Sequence, residues 1–472
     1  MSGASRKRLL AILIALSLLP ACSSLSSKGS LKGSLLITNV NVITGEGGDV
    51  LENHTVLINN NKIVAISSMD KVKSMQSANI IDAQNAYLLP GFIDTHAHIG
   101  VGPVGVRVEE EKPIVFTTPS TSIAEHTLRS LIKYGITTAR DPGGDVDITV
   151  TSKRRVENGE ISGPRLFVAG NIIDTEIFEG LIATVKTPND VRTEIRRQAA
   201  SGVDWIKLYT GLSKDMVAVG IEEAHAQGVK VTGHLHKTNW KDASDLGIDS
   251  IVHIIPSSTE LLPNDKHAEY EASIAQGLSI LKWFEFVDYD STKITNTIKS
   301  LRDNNVSIDP TLIVFHAMAF GNKDIYLKNP ALKDASPELI ENWQTAFNFN
   351  LGWTQENFSY AQSVWPRVSE FVKRLHDSGV SLTAGSDANN PWAVPGDSFH
   401  KELELLVDAG ISERDVITIA TRNGAELLGV LDQVGTISLN KQADLVLIKS
   451  NPYDDISSTR DIVWVMQNGK IQ

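Results

Sequence analysis

The feature that most restricts this chain is a rhythm. Through its middle, short apolar runs recur at residues 135–140, 165–169, 205–209, 230–236, 250–255, 307–312 and 380–386, separated by stretches of helical composition. An eighth run precedes them and ends in Leu88-Leu89-Pro90-Gly91-Phe92-Ile93-Asp94-Thr95-His96-Ala97-His98. Alternating apolar strands and helices argue for βα units around a parallel sheet. Eight of them predict an α/β fold, a (β/α)8 TIM-type barrel whose functional face lies at the C-terminal ends of the strands. At 472 residues the chain has room for such a barrel, roughly 250 residues or more, and for a smaller second domain.

The two ends predict that second domain. Residues 35–89 hold short alternating stretches such as Leu36-Ile37-Thr38-Asn39-Val40 and Thr55-Val56-Leu57-Ile58, and Asn59-Asn60-Asn61 reads as a hairpin turn. Residues 443–448 and 462–470 have the same texture. Neither end has strands enough for a sheet of its own. Together, 35–89 and 431–472 predict a small β-sandwich flanking a barrel over 90–430. Two segments overrun ordinary loop length, 100–120 and 315–365. The second carries Trp343, Phe347, Phe349, Trp353, Phe358, Tyr360 and Trp365, which either shape a pocket or pack on one another.

A formal net charge of -12 argues against a nucleic-acid partner, which wants a basic face. At the N-terminus, Arg6-Lys7-Arg8 precedes an apolar run over 9–19 that is too short to span a bilayer. The run closes on Leu19-Pro20-Ala21-Cys22-Ser23-Ser24, which resembles a bacterial lipobox. The expectation is a lipoprotein signal peptide over 1–21, a lipidated Cys22 and a flexible Ser/Gly tether over 22–34. The protein would then sit in a bacterial cell envelope, anchored in the outer membrane and facing the periplasm. An ordinary cleaved signal is the alternative. Cys22 is the only cysteine, so no intramolecular disulfide can form.

Chemistry gathers at the strand tips. In a strand, residues i and i+2 share a face, so His96 and His98 would project together as neighbours on a metal, with Asp94 and Thr95 placed to orient them. Lys207 lies inside Trp205-Ile206-Lys207-Leu208-Tyr209, where a free ammonium is expensive, and His253 sits inside an equally apolar run. With His234 and Asp387 these make six ionisable groups at the ends of five predicted strands.

The motifs Pro90-Gly91-Phe92-Ile93-Asp94-Thr95-His96-Ala97-His98, Thr137-Thr138-Ala139-Arg140-Asp141, Trp205-Ile206-Lys207, Val231-Thr232-Gly233-His234, Ile251-Val252-His253 and Gly385-Ser386-Asp387 resemble those of the amidohydrolase superfamily. The nearest likeness is to its imidazolonepropionase-like and Xaa-Pro-dipeptidase-like branch. That resemblance implies two divalent metal ions, usually zinc. His96, His98 and Asp387 would hold one ion and His234 and His253 the other, with Lys207 bridging them as its carboxylated derivative. Two dications would depress the lysine pKa, and the carbamate supplies two anionic oxygens. Imidazole and carboxylate ligands suit zinc, with manganese, cobalt and iron open. The implied reaction is hydrolysis of an amide C–N bond by a metal-bridging hydroxide, with Asp387 as general base and then general acid. Dipeptides or N-acyl amino acids are the favoured small-molecule substrates. The same binuclear site would serve a lactone or a phosphotriester. A catalytically inactive, lipid-anchored binding protein is the reading from another class, although no ligand is missing. His236, two past His234, and Tyr209, two past Lys207, are candidates to bind a substrate carbonyl or carboxylate, or else rim and packing residues.

Overall fold

The structure is a computed structural model and describes residues 34–68, 79–274 and 279–472. The signal peptide, Cys22 and nearly all of the tether lie outside the described residues. Among the described residues, no helix is long and apolar enough to cross a membrane.

The two ends of the chain meet in one eight-stranded sheet. Leu445–Ile448 lies antiparallel to Tyr87–Pro90, with Leu445 opposite Pro90, so the C-terminal strands extend the N-terminal ones directly. The predicted hairpin joins Leu51–Asn59 to Lys62–Ser68. Asn60 and Asn61 both adopt positive φ, 49° and 61°, the backbone a two-residue turn between twisted strands requires and asparagine tolerates. Alternate residues Ile37, Val56, Leu88, Leu447 and Met466 are buried in one cluster against this sheet.

Seven of the eight predicted parallel strands form. Phe92–Asp94, Ile136–Asp141 and Arg165–Val168 pair in one sheet. Trp205–Leu208, Lys230–Gly233, Ser250–Val252 and Ser307–Asp309 pair in parallel in another, which Ile172–Asp174 and Ile182–Thr184 extend. An Ala169–Trp205 bridge links the two sheets. Most of these strands stop earlier than the apolar runs do. Trp205–Leu208 ends before Tyr209, Lys230–Gly233 before His234 and Ser250–Val252 before His253, so the predicted site residues begin the loops rather than end the ladders.

The eighth predicted strand, over 380–386, is not a regular strand. It touches the Ser307–Asp309 strand through Ile308 N–H to Ser381 O (2.8 Å) and Thr383 N–H to Ile308 O (3.0 Å). On its other side, Thr95 N–H donates to Ala384 O (2.9 Å) and Asp387 N–H to His96 O (2.7 Å). The ladder is interrupted because Asp94 takes over its donors: its carboxylate accepts from Ser386 N–H (3.1 Å) and Ser386 Oγ–H (2.6 Å). Gly385 permits the approach, since a Cβ there would fall 2.4 Å from Asp309 Oδ2 and 2.5 Å from His96 Cβ.

Both long segments are structured. Residues 100–120 hold a hairpin of Val104–Glu109 and Lys112–Thr117, with Phe178–Glu179 as a third strand. Within 315–365 the chain forms helices Leu312–Phe320, Pro337–Thr345 and the start of Gln355–Asp377, with short helical turns between. Asn342 fastens the two segments together, accepting from Val104 N–H (3.0 Å) and donating to Val104 O (2.9 Å).

Helix Leu312–Phe320 starts at Thr311, whose φ of 46° leaves it without a side-chain cap of its own. The buried Glu402, on helix Asp397–Asp408, supplies one by accepting from Ile313 N–H (2.8 Å). Burial pushes its carboxyl well above the ordinary carboxylate range. Glu402→Ala is therefore expected to cost about 2 kcal/mol in urea unfolding by orphaning a buried donor, whereas Glu402→Gln keeps the acceptor and stays within about 1 kcal/mol of wild type. Equal losses in the two variants would contradict this cap.

Candidate active site

His96 and His98 follow the end of the Phe92–Asp94 strand, so strand alternation is not what aligns them. Asp94 Oδ1 accepts from His96 N–H (3.0 Å), turning the chain as an aspartate does beyond a strand, and Ala97 bridges to Ala388. The two rings nevertheless converge, with Nε2 atoms 3.4 Å apart. Asp387 closes the triangle, its Oδ1 lying 3.3 Å from each Nε2. His253 joins from the side, Nδ1 3.8 Å from Asp387 Oδ2, and His96, His253 and Asp387 form a group able to hold a metal ion.

The protonation pattern of this group suits a cation. His98 Nδ1 lies 2.6 Å from Gly143 O, and a carbonyl can only accept, so Nδ1 carries a proton and Nε2 is the atom turned to the triangle. His96 Nδ1 faces Asp309 Oδ2 at 3.7 Å, which leaves its Nε2 turned to the triangle. Burial holds His96 and His253 well below the ordinary imidazole range, and it lowers His234 to about 3. All three are neutral at physiological pH, the form that binds metals. These ring nitrogens and the carboxylate oxygen converge on one point, where they could serve together as ligand atoms. His96 Nδ1 and His234 Nδ1 are also buried without a hydrogen-bond partner among the described residues. The donor set fits a divalent ion on chemistry alone.

His234 approaches from the next strand, its ring edge-on to His253 at 4.4 Å between centroids and to Tyr209 at 4.8 Å. His253 adopts φ 68°, a left-handed conformation unusual outside glycine, and Asp387 does likewise at 50°. Lys207 is 1% exposed. Burial lowers its pKa to about 8, although Asp387, Asp141 and Asp309 pull it upward. Among the described residues no hydrogen bond holds its Nζ, which lies 5.7 Å from the centre of the Tyr209 ring.

These groups meet at a cavity of about 220 Å3. His98, Lys207, Tyr209, His234, His253 and Asp387 all reach its wall. His236 does not. The chain leaves the strand at Gly233, and His236 lines a separate cleft with Glu176, Glu260 and Glu271. Of the aromatic segment, Trp343, Phe347 and Phe349 line the cavity, while Trp353 packs on Phe358 and Trp365 on His316. Thr95 does not touch the imidazoles; its Oγ donates to Asp309 Oδ2 (2.9 Å).

Two residues beneath the site were not singled out from the sequence. Arg140 is fully buried, donates to Thr95 O (2.6 Å) and Ser250 Oγ (3.1 Å), and stacks 4.5 Å from the Trp205 ring. Its Nη2 lies 3.9 Å from Asp309 Oδ2, and burial raises Asp309 to about 7 against the pull of that guanidinium. The signal for Arg140 was present: a charge inside an apolar run, as for Lys207.

Comparison with known proteins places this geometry. An uncharacterized protein of Mycobacterium bovis is 26% identical over 180 residues, 35% of this chain and 44% of that protein, so the chain spans less than half the length of this relative. An imidazolonepropionase of Phocaeicola vulgatus is 22% identical over 450 residues, covering 90% of this chain and 94% of that one. The crystal structure of a Xaa-Pro dipeptidase with bound methionine superposes with a TM-score of 0.69 at 22% identity, over 93% of this chain and all of that one, a likeness of fold. Matched over residues 87–472, from the strand before the paired histidines to the last residue, the chain belongs to the Amidohydrolase family.

Proposed function

We propose that the protein is a divalent-metal-dependent hydrolase of amide C–N bonds, and that its parallel strands close as a (β/α)8 barrel with the terminal sheet folded as a small β-sandwich beside it. One observation carries the reading: two imidazole nitrogens and a carboxylate oxygen lie within 3.4 Å of one another, with His98 and Asp387 at the wall of a cavity. His96, His98 and Asp387 would hold one ion, and His234 and His253 a second, with carboxylated Lys207 between them; zinc is the ion this donor set suits best. Such ions supply a Lewis acid for the scissile carbonyl and acidify a water.

The chain's own residues do the rest. A lysine whose pKa is lowered to about 8 by burial spends part of its time as the free amine. That amine attacks carbon dioxide, forming an N–C bond and releasing one proton, and becomes an anion. Asp387, steadied by Asn390 Nδ2 donating to its Oδ1 (2.7 Å), takes the proton of the attacking water and returns it to the leaving nitrogen. Tyr209 stands where its hydroxyl can orient the substrate carbonyl. Dipeptides and N-acyl amino acids, the substrates expected from the sequence, are the compounds against which other amides are compared. That all six predicted groups converge weighs against an inactive binding protein, and no observation favours a lactone or phosphotriester.

Lys207→Ala is expected to lose bound metal and most amidase activity while remaining folded, and formate should partly restore both. Lys207→Arg should be as damaging and beyond rescue, because its charge cannot be converted. Full metal content and turnover in Lys207→Arg would sink the carbamate assignment.

We propose for Cys22 the lipid anchoring expected from the sequence. Cys22→Ser should then leave unprocessed precursor or soluble protein in cell fractionation. Fully processed Cys22→Ser protein in the membrane fraction would count against the anchor.

A further inference from the structure

We infer that the substrate is an uncharged amide with apolar groups on both sides of the scissile bond, and that substrates bearing a free carboxylate are excluded; this rests on the hydrolase reading above. The hairpin side of the cavity contributes Val101, Val104, Phe178 and Leu181. The facing helix contributes Val314, Phe315 and Met318, and the cover contributes Leu339, Trp343, Phe347 and Phe349. Among the described residues the wall holds no arginine, and no lysine other than Lys207, which the hydrolase reading commits to the metal site.

Most amide donors on the wall are spent as well. Asn342 gives its NH2 to Val104 O (2.9 Å) while its oxygen takes Val104 N–H. Asn389 gives its NH2 to His98 O (2.7 Å) and Thr127 Oγ (2.9 Å), and the backbone carbonyl fixes which way the amide faces. Asn390 gives its NH2 to Asp387 Oδ1 (2.7 Å) and Asp387 O (3.2 Å). The Tyr209 hydroxyl, the Trp343 indole N–H and one N–H of Asn342 are neutral side-chain donors on the wall without a partner among the described residues. These donors can serve a neutral carbonyl, but none carries the positive charge that would offset a buried carboxylate. A carboxylate buried against hydrocarbon without a cation loses more hydration than neutral donors return. His236, the candidate carboxylate binder, lines another cleft, with Lys237 and three glutamates. The size agrees: about 220 Å3 is below the roughly 300–1,000 Å3 typical of sites for drug-sized ligands, so the substrate is small.

The test is a matched pair, N-acetylleucine and its decarboxylated counterpart N-acetyl-isopentylamine, presented to the metal-loaded full chain. Calorimetry is expected to show the neutral compound binding about tenfold more tightly or better. Equal or tighter binding of the acid, or no binding of the neutral compound, overturns the inference. Phe349→Arg, which puts a cation at a partly exposed position on the wall, should narrow the gap; an unchanged gap in a variant that melts like wild type overturns the account that charge sets it. Turnover is scored separately. If no amide is cleaved with metal bound, the hydrolase reading fails, while the two affinities still decide the question of charge.

Discussion

The convergence of His96, His98 and Asp387 on one point is the constraint on which the rest of the site depends. Their nitrogen and oxygen atoms are held 3.3–3.4 Å apart, away from bulk water, placed as ligand atoms around a cation would be. The chain holds them there with backbone rather than with long side chains. His96 O receives Asp387 N–H, and His98 N–H donates to Ala388 O, so each ligand is fastened to the segment that carries another. Asp94 knots the same two segments from below through Ser386. The left-handed backbone at His253 and Asp387 belongs to this arrangement, since strained conformations persist where neighbours over-determine them.

Beneath the ligands lies a layer of buried charge. Arg140, Asp309, Thr95 and Ser250 join four parallel segments through one guanidinium and one carboxylate. Removing either charge would leave the other unpaired in a dry interior. Asp309 Oδ2 then lies 3.7 Å from His96 Nδ1, an electrostatic neighbour of the ring rather than a hydrogen-bond partner. Above the ligands the environment changes to hydrocarbon, and the Asn342–Val104 pair holds the cover against the hairpin. Charge lies below, metal donors in the middle and grease above, so the reaction centre sits at a dielectric boundary.

The sequence showed the strands and the ligands because both are local. Apolar runs of four to six residues mark buried parallel strands, and a lysine or histidine within one is visible without any tertiary knowledge. What it hid was long-range. Asp309 lay inside a run expected to continue to Leu312, and its partner Arg140 is far away in the chain, so no spacing pairs them. The 380–386 strand failed because ladder bonds were replaced by an aspartate side chain nearly three hundred residues earlier. His236 was misplaced for a local reason: the i, i+2 rule holds only while the strand lasts, and the strand ends at Gly233. The aromatic segment divides between the two roles the sequence left open, because the helix Pro337–Thr345 turns Trp343 inward while the next helix packs elsewhere.

The central claim is that these side chains hold metal where they converge. Anomalous diffraction from crystals of the protein, collected on either side of the zinc absorption edge, tests it most directly. The account predicts two edge-dependent peaks, one among His96, His98 and Asp387 and one beside His234 and His253, with density extending from Lys207 Nζ between them. Crystals of fully metal-loaded protein in which the bound ions lie elsewhere, and Asp387 bonds the two imidazoles directly, would contradict it.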